Sequence, residues 1–369
     1  MTTPKVVLTM IVKNEAKVLP RLLQSVRPYI DAYCIADTGS TDDTIAVVQR
    51  EMEGGPGRIV LDPWKDFAFN RTSVLRHASD LGDYCLMLDA DEEVIAEPGH
   101  SPADFRMSLT SDHHNVMYRN GSFYGRPQIT KAGLPYVYRG ALHEFLQAPE
   151  GTTNGGYVSA FFVRSHPEGA RSSNPNKYRD DAELLRQALA RNDEPDLRWR
   201  YMFYYAQSLK DSGQIEAAEE AYSAAGAGQG WREERYIAWL YAGRLRAELR
   251  RPYAHVFEAL MLAHEVNPAR AEALYQAALF ARQLGRFHTA WMFAKAACVR
   301  EPQNDDLFIE PWVYAWGSKY ELSIAAYFAK EYMTGLVASE ALLNEPTLPP
   351  DERATVQTNV VAYRSLIKG

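Results

Sequence analysis

Residues 84–93 read YCLMLDADEE, an apolar stretch from Tyr84 to Leu88 that runs straight into Asp89-Ala90-Asp91-Glu92-Glu93. A continuous apolar run of this length suits a strand buried on both faces, as in the middle of a parallel sheet. Two carboxylates one residue apart on an extended chain can share a hard divalent ion, with diphosphate oxygens completing its shell. The competing assignment is an acidic loop capping a helix over Glu92–Ile95.

Upstream of this strand the same alternation repeats. Val6–Val12 is a second continuous apolar run, and Val18, Leu19, Leu22, Leu23 and Val26 follow at helical spacing. Ala32–Ala36 reads as a strand ending in Asp37-Thr38-Gly39-Ser40-Thr41-Asp42, with a helix through Ile45, Val47 and Val48. Arg58–Leu61 reads as a strand and Phe69–Ala78 as a helix. Strands alternating with helices at this interval mean a mostly parallel, Rossmann-like α/β sheet. Ligands of such sheets bind at the carboxyl ends of the strands, where Asp37 and Asp89 both fall. Asp37 there either receives a nucleobase N–H or shapes the turn before the next helix. Arg71, beside Asn70, either neutralises a diphosphate, holds the base-binding carboxylate or lies on a solvated helix face.

From about Glu97 the pattern changes to short strand candidates, Asn115–Arg119, Pro135–Tyr138 and Tyr157–Val163, separated by Gly, Pro and Asn. His143-Glu144 offers a carboxylate that can act as a general base. His166 offers a metal ligand, and Arg171 a phosphate contact. The doublet His113-His114 has no partner at ligand spacing and is expected at the surface. Ser172–Lys177 reads as a linker, so the expected domains are 1–175 and 176–369. Beyond it the chain is alanine-rich and helical, and similar offsets recur around Gly213, Arg251 and Gly285, in steps of 38 and 34 residues. Such steps fit helix-turn-helix repeats of the tetratricopeptide kind, against the alternative of an irregular bundle.

Composition sets outer limits. The 369 residues are 46% hydrophobic and 24% charged, which excludes a largely disordered chain. A net charge of −7 leaves no overall basic field for nucleic acid or an anionic membrane. No apolar run approaches the roughly 20 residues of a membrane span, and Val6–Val12 is cut off by Lys13, Asn14 and Glu15, too short for a secretory segment. Cys34, Cys85 and Cys298 form no CxxC, and two of them fall in buried strands, so a reducing cytoplasm is the expected compartment.

Four segments in order, TMIVKNEAKVLPRLLQSV (9–26), CIADTGSTDDT (34–44), FNRTSVLRHA (69–78) and LMLDADEE (86–93), resemble the family 2 glycosyltransferases of the GT-A fold. The likeness covers about the first 170 residues. Together with a helical repeat domain it resembles the subgroup that includes the bacteriocin S-glycosyltransferases, and RSHPEGARSSNPNKYRDD (164–181) followed by FYYAQSLKDSG (203–213) strengthens that narrower likeness. The resemblance implies a metal-dependent, inverting transferase using a nucleotide sugar, of the UDP type, with Mn²⁺ or Mg²⁺. It places Ile11, Lys13 and Glu15 in the loop lining the nucleoside, Asp37 on the base, Arg71 near base and diphosphate, and Asp89 on ribose or metal. It makes Asp91 and His166 metal ligands and Glu144 the catalytic base, with Asn70, Arg171 and Lys177 around the donor. Lys13 stands where many relatives carry an aromatic residue that stacks on the base. The implied acceptor is macromolecular, with protein or peptide favoured over a glycan or modified DNA. The helical domain is expected to recruit that acceptor or a second copy of the chain. Two other classes share parts of this pattern: a nucleotidyltransferase making nucleotide sugars, and a non-catalytic protein-binding scaffold.

Overall fold

A computed structural model of the chain describes residues 3–119, 123–166, 168–169, 174–302 and 307–368. The chain divides into two compact units, Met1–Asp180 and Asp181–Gly369.

The first unit is built on β1 (Val6–Val12), α1 (Leu19–Val26), β2 (Ala32–Asp37), α2 (Thr44–Glu51), β3 (Gly57–Leu61), α3 (Phe67–Ala78) and β4 (Tyr84–Met87). There follow β5 (Glu92–Ala96), α4 (Pro102–Ser108), β6 (His113–Arg119), β7 (Phe123–Lys131), β8 (Val137–Arg139), β9 (Phe145–Gln147), β10 (Asn154–Tyr157) and β11 (Phe161–Ser165). The main sheet runs β3-β2-β1-β4-β7-β6-β11-β5, with β10 on β6, while β8 and β9 form a separate hairpin. The β3-β2-β1-β4 half is parallel, as expected. β7 then joins β4 and β6 antiparallel, so the whole sheet is mixed, with a Rossmann-like half.

Strand alternation explains the layers. Val6, Leu8, Met10 and Val12 turn to one face and bury against α1 and α2, whereas Val7 turns to the other, against Val74, Leu75 and Ala78 of α3. Glu92–Ile95 lies in a strand, β5, which removes the helix-capping explanation of the acidic run. His113 and His114 are buried in β6, not on the surface: the His113 ring meets the Tyr136 hydroxyl at 3.2 Å, and His114 Nε2 accepts the Ser111 N–H. The Tyr157–Val163 candidate divides into β10 and β11.

Helix α5 (Lys177–Arg191) leads into the second unit, which continues with α6 (Arg198–Asp211), α7 (Ile215–Ala227), α8 (Arg232–Glu248), α9 (Tyr253–Val266), α10 (Glu272–Gln283) and α11 (Phe287–Cys298). Then come α12 (Ser318–Phe328), α13 (Tyr332–Leu343) and α14 (Pro350–Lys368). The hairpins α6–α7, α8–α9, α10–α11 and α12–α13 share one turn. Gly213, Arg250, Gly285 and Lys330 each take a left-handed φ, of 80°, 55°, 69° and 62°. The next residue's N–H reaches five residues back, Gln214 to Leu209, Arg251 to Arg246, Arg286 to Ala281 and Glu331 to Ala326. This is the Schellman closure repeated. The second turn centres on Arg250 of the expected Arg250-Arg251 pair, and the Lys330 turn carries no glycine to announce it. Among the described residues no helix is long and apolar enough to cross a membrane.

Candidate active site

The carboxyl ends of β1 and β2 are tied together by short polar side chains. The Asn14 N–H donates to Ser40 Oγ and its side-chain oxygen accepts the Thr41 N–H at 2.7 Å. The Glu15 N–H donates to Thr44 Oγ1, and the Ala16 N–H to Asp42. Asn14 takes a left-handed φ of 59°, which asparagine tolerates. Asp37, at the end of β2, is buried, and its carboxylate accepts the N–H groups of Gly39 and Ser40. The Asp37 carboxylate thus shapes the turn after β2. Of the predicted nucleoside loop, Ile11 is half-buried in β1, Lys13 is exposed, and Glu15 is half-buried with its carbonyl starting α1.

Beyond β4 the acidic run makes a tight turn. Asp89 and Glu92 close it reciprocally: the Asp89 N–H donates to Glu92 Oε2 at 2.9 Å, and the Glu92 N–H to the Asp89 carbonyl at 3.1 Å. Arg71 of α3 is buried, not solvated. Its guanidinium reaches Asp89 Oδ1 at 2.5 Å and Glu144 Oε1 at 2.8 Å. Burial opposes the Arg71 charge, but Asp89 and Glu144 outweigh it and hold the group protonated. One arginine thus brings together two carboxylates from distant parts of the sequence. Asp89 keeps 31% of its side chain exposed and Glu144 15%, so both still face solvent.

Burial raises the Asp91 carboxyl above the usual aspartate range, and the Asp89 charge raises it further, against the Gly169 N–H and Arg21. Gly169 passes so close that a Cβ there would stand 3.0 Å from Asp91 Oδ2. Glu92 is buried, and burial followed by the Asp89 charge pushes it up to about 8. Two crowded carboxylates with hard oxygen donors, Asp89 and Asp91, are what a Mg²⁺ or Mn²⁺ ion would relieve. Among the described residues no three His, Cys, Asp or Glu side chains converge as a metal cage. The His166 N–H donates to the Asp91 carbonyl, but its ring pairs with Glu93 at 3.0 Å.

Asn70 is fully buried, and its amide is spent on backbone: the oxygen accepts the Lys65 N–H, and the nitrogen donates to the carbonyls of Asp62 and Pro63. These bonds shape the loop before α3. Lys177 begins α5 with its ammonium 5.4 Å from the centre of the Tyr178 ring. Arg171 lies outside the described residues.

Residues the sequence did not flag complete the surroundings. Gln128 of β7 donates to the Tyr118 hydroxyl at 2.8 Å, the Tyr118 hydroxyl points to Glu92 Oε2, and the Tyr138 hydroxyl points to Gln128. The Arg71 guanidinium lies 5.7 Å from the centre of the Tyr138 ring. β7 was absent from the sequence reading, and no local pattern marks these positions.

Residues 8–97 match the family model described as Glycosyl transferase family 2. A TPR repeat-containing protein of Synechococcus elongatus is 42% identical over 93 residues, 25% of this chain and 22% of that protein. An uncharacterized glycosyltransferase of Rickettsia felis is 32% identical over 87 residues, 24% of this chain and 29% of that protein. The chain spans less than a third of the length of these curated relatives. Among solved structures, S. aureus TarS 1–349 aligns at a TM-score of 0.38 and 14% identity, covering 76% of this chain and 92% of that one.

Proposed function

We propose that the first unit, whose residues 8–97 carry the family 2 glycosyltransferase pattern, transfers a sugar from a UDP-type nucleotide sugar in a GT-A arrangement. The observation that carries this reading is the buried Arg71 joining Asp89 and Glu144 at the carboxyl edge of the parallel strands, two residues from Asp91. Asp37 accepts a hydrogen bond from the base. Asp89 and Asp91 would hold a divalent cation, which when bound would supply positive charge to the departing diphosphate. Glu144, fixed by Arg71, takes the proton from the acceptor hydroxyl or thiol. The acceptor atom bonds to the anomeric carbon as the carbon–oxygen bond to the diphosphate breaks on the opposite face, so configuration inverts and the nucleoside diphosphate leaves. Lys177 adds positive charge on the phosphate side.

The acceptor is a macromolecule, with protein or peptide favoured. The net charge of −7 speaks against DNA. Helical hairpins of the repeated kind seen in the second unit serve as protein-binding surfaces, for the acceptor or for a second copy. Three thiols without disulfides fit the cytoplasm. The test is incubation with UDP-glucose and other UDP-sugars plus Mn²⁺, following UDP. Slow release that stops on chelation is the expected result. Turnover only with a sugar 1-phosphate and a nucleoside triphosphate would replace this reading by a nucleotidyltransferase.

A further inference from the structure

β7 runs antiparallel to β4, with Tyr84 opposite Lys131, Cys85 opposite Thr130 and Leu86 opposite Ile129. Arg126 lies further along β7, opposite Val116 of β6. Arg126 is exposed, and its guanidinium lies 5.2 Å from the centre of the Tyr118 ring and 5.5 Å from that of Tyr124. The two rings are stacked, 5.1 Å apart and 14° from parallel. Tyr118 is buried beneath, while Tyr124 keeps 37% of its surface open.

This cation differs from Arg71, which is held by two carboxylates. Among the described residues Arg126 makes no ion pair, although it feels the charges of Asp89 and Glu92. Its crowded surroundings disfavour the charge, and Tyr118, Tyr124, Asp89 and Glu92 together more than offset that. A planar, charged fork with no ion-pair partner among the described residues, beside an open aromatic ring, has a definite chemistry. The ring takes the apolar face of a pyranose, and the fork takes two oxygens of a carboxylate. Its place in the sheet gives the direction. In the order β2-β1-β4-β7, Asp37 ends β2, the acidic turn follows β4 and Arg126 lies on β7. With the base at Asp37 and the diphosphate at Asp89 and Asp91, Arg126 falls beyond the diphosphate, where sugar and acceptor meet.

We propose that Arg126 and Tyr124 form a subsite for a sugar acid, a pyranose carrying a carboxylate, held as donor sugar or as the accepting residue of a glycan. The direction of this subsite rests on the transferase reading; its chemistry does not. Two pairs of probes separate the sources: UDP-glucuronate against UDP-glucose by calorimetry with Mn²⁺ for the donor, and methyl β-glucuronide against methyl β-glucoside by ligand-observed NMR on the nucleotide-free full-length chain for the acceptor. One pair should show a preference for the acid of about tenfold, the scale of one added charge-assisted contact. Arg126→Met should abolish the preference, and Arg126→Lys, which keeps the charge without the fork, should retain part of it. Both variants should match the parent in far-ultraviolet circular dichroism; if the methionine variant does not fold, the lysine variant carries the test through its reduced preference. No preference in either pair, or a preference unchanged in the variants, overturns the subsite. Loss of affinity for UDP alone in Arg126→Met, with no acid preference in the parent, assigns this cation to the diphosphate and overturns it too. Failure of the parent to bind UDP sinks the transferase reading, whereas the glycoside pair, which needs no nucleotide, still judges the subsite.

Discussion

Arg71 in the first unit and Arg270 in the second are both buried guanidiniums held by carboxylates, yet their surroundings are finished to different degrees. Arg270 and Glu272 have fully buried side chains, and Arg270 donates to both Glu272 oxygens and to the carbonyls of Leu307 and Phe308. Glu272 also accepts the hydroxyls of Tyr236 and Tyr314 and the Glu310 N–H. The Arg270 charge further lies 4.4 Å from the centre of the Tyr236 ring. Such a closed cluster pins residues 307–310 to the helices and leaves no room for a ligand. Around Arg71 the opposite holds: its carboxylates stay partly exposed, and the Asp91 and Glu92 carboxyls crowd beside them, both raised above their ordinary range. A buried charge whose partners are all internal serves the fold, and one whose partners face solvent and carry uncompensated charge serves a ligand.

Paired substitutions should break this comparison most visibly. Arg270→Met strands Glu272 as a buried lone charge and should cost about 3–5 kcal/mol of stability, read by urea unfolding of the second unit. Arg71→Met should cost less, about 1–3 kcal/mol, because Asp89 and Glu144 can still be hydrated. It should instead cut sugar-nucleotide hydrolysis by about 100-fold. Equal losses of stability with hydrolysis intact would erase the distinction between the two clusters.

The two clusters should also answer pH with opposite sign. Burial works against the Glu272 charge, but the Arg270 contacts win and hold its carboxyl below the ordinary glutamate value. Its contribution is therefore present above about pH 4.3 and lost as pH falls through the lowered value. Glu92 is raised to about 8 by burial and by Asp89. Its contribution is full below the ordinary glutamate range and lost as pH rises through about 8. Glu92→Gln, which keeps the shape without the charge, should flatten the decline in first-unit stability between pH 5 and 8 in metal-free buffer. An unchanged slope in thermal unfolding would show that Glu92 is not its source.

The smallest effect expected lies in the turns. Gly285→Ala puts a side chain at φ 69° and should cost about 1 kcal/mol. Arg250→Gly relieves φ 55° but loosens the unfolded chain, so a gain of only a few tenths of a kcal/mol is expected. Unfolding of the two variants side by side would check that both turns obey one rule.

What the sequence made legible is what local pattern encodes. Strand–helix alternation placed Asp37, Asp89 and Asp91 at strand ends, and the parallel half of the sheet was found there. Pairing between distant segments was not legible: nothing near Phe123–Lys131 announces a strand seated beside β4, so Arg126, Gln128 and the Tyr118 stack escaped notice. His113 and His114 were misplaced for the same reason, since β10 covers them only after the sheet forms; a Cβ on Gly155 would lie 2.2 Å from the His114 ring. Lys330 hid a turn because the helix end forces it into a conformation that glycine usually marks, whereas the Arg250-Arg251 turn was legible only from the repeat spacing.

The measurement that bears most directly on the account is UDP binding by calorimetry, with and without Mn²⁺, to the parent chain and to Asp91→Asn. The account predicts Mn²⁺-dependent binding by the parent and loss of that dependence in the variant, with the thermal unfolding midpoint preserved, because asparagine keeps the shape but removes the charge a divalent ion needs. Binding of UDP that is equally strong in both chains and indifferent to Mn²⁺ would contradict it.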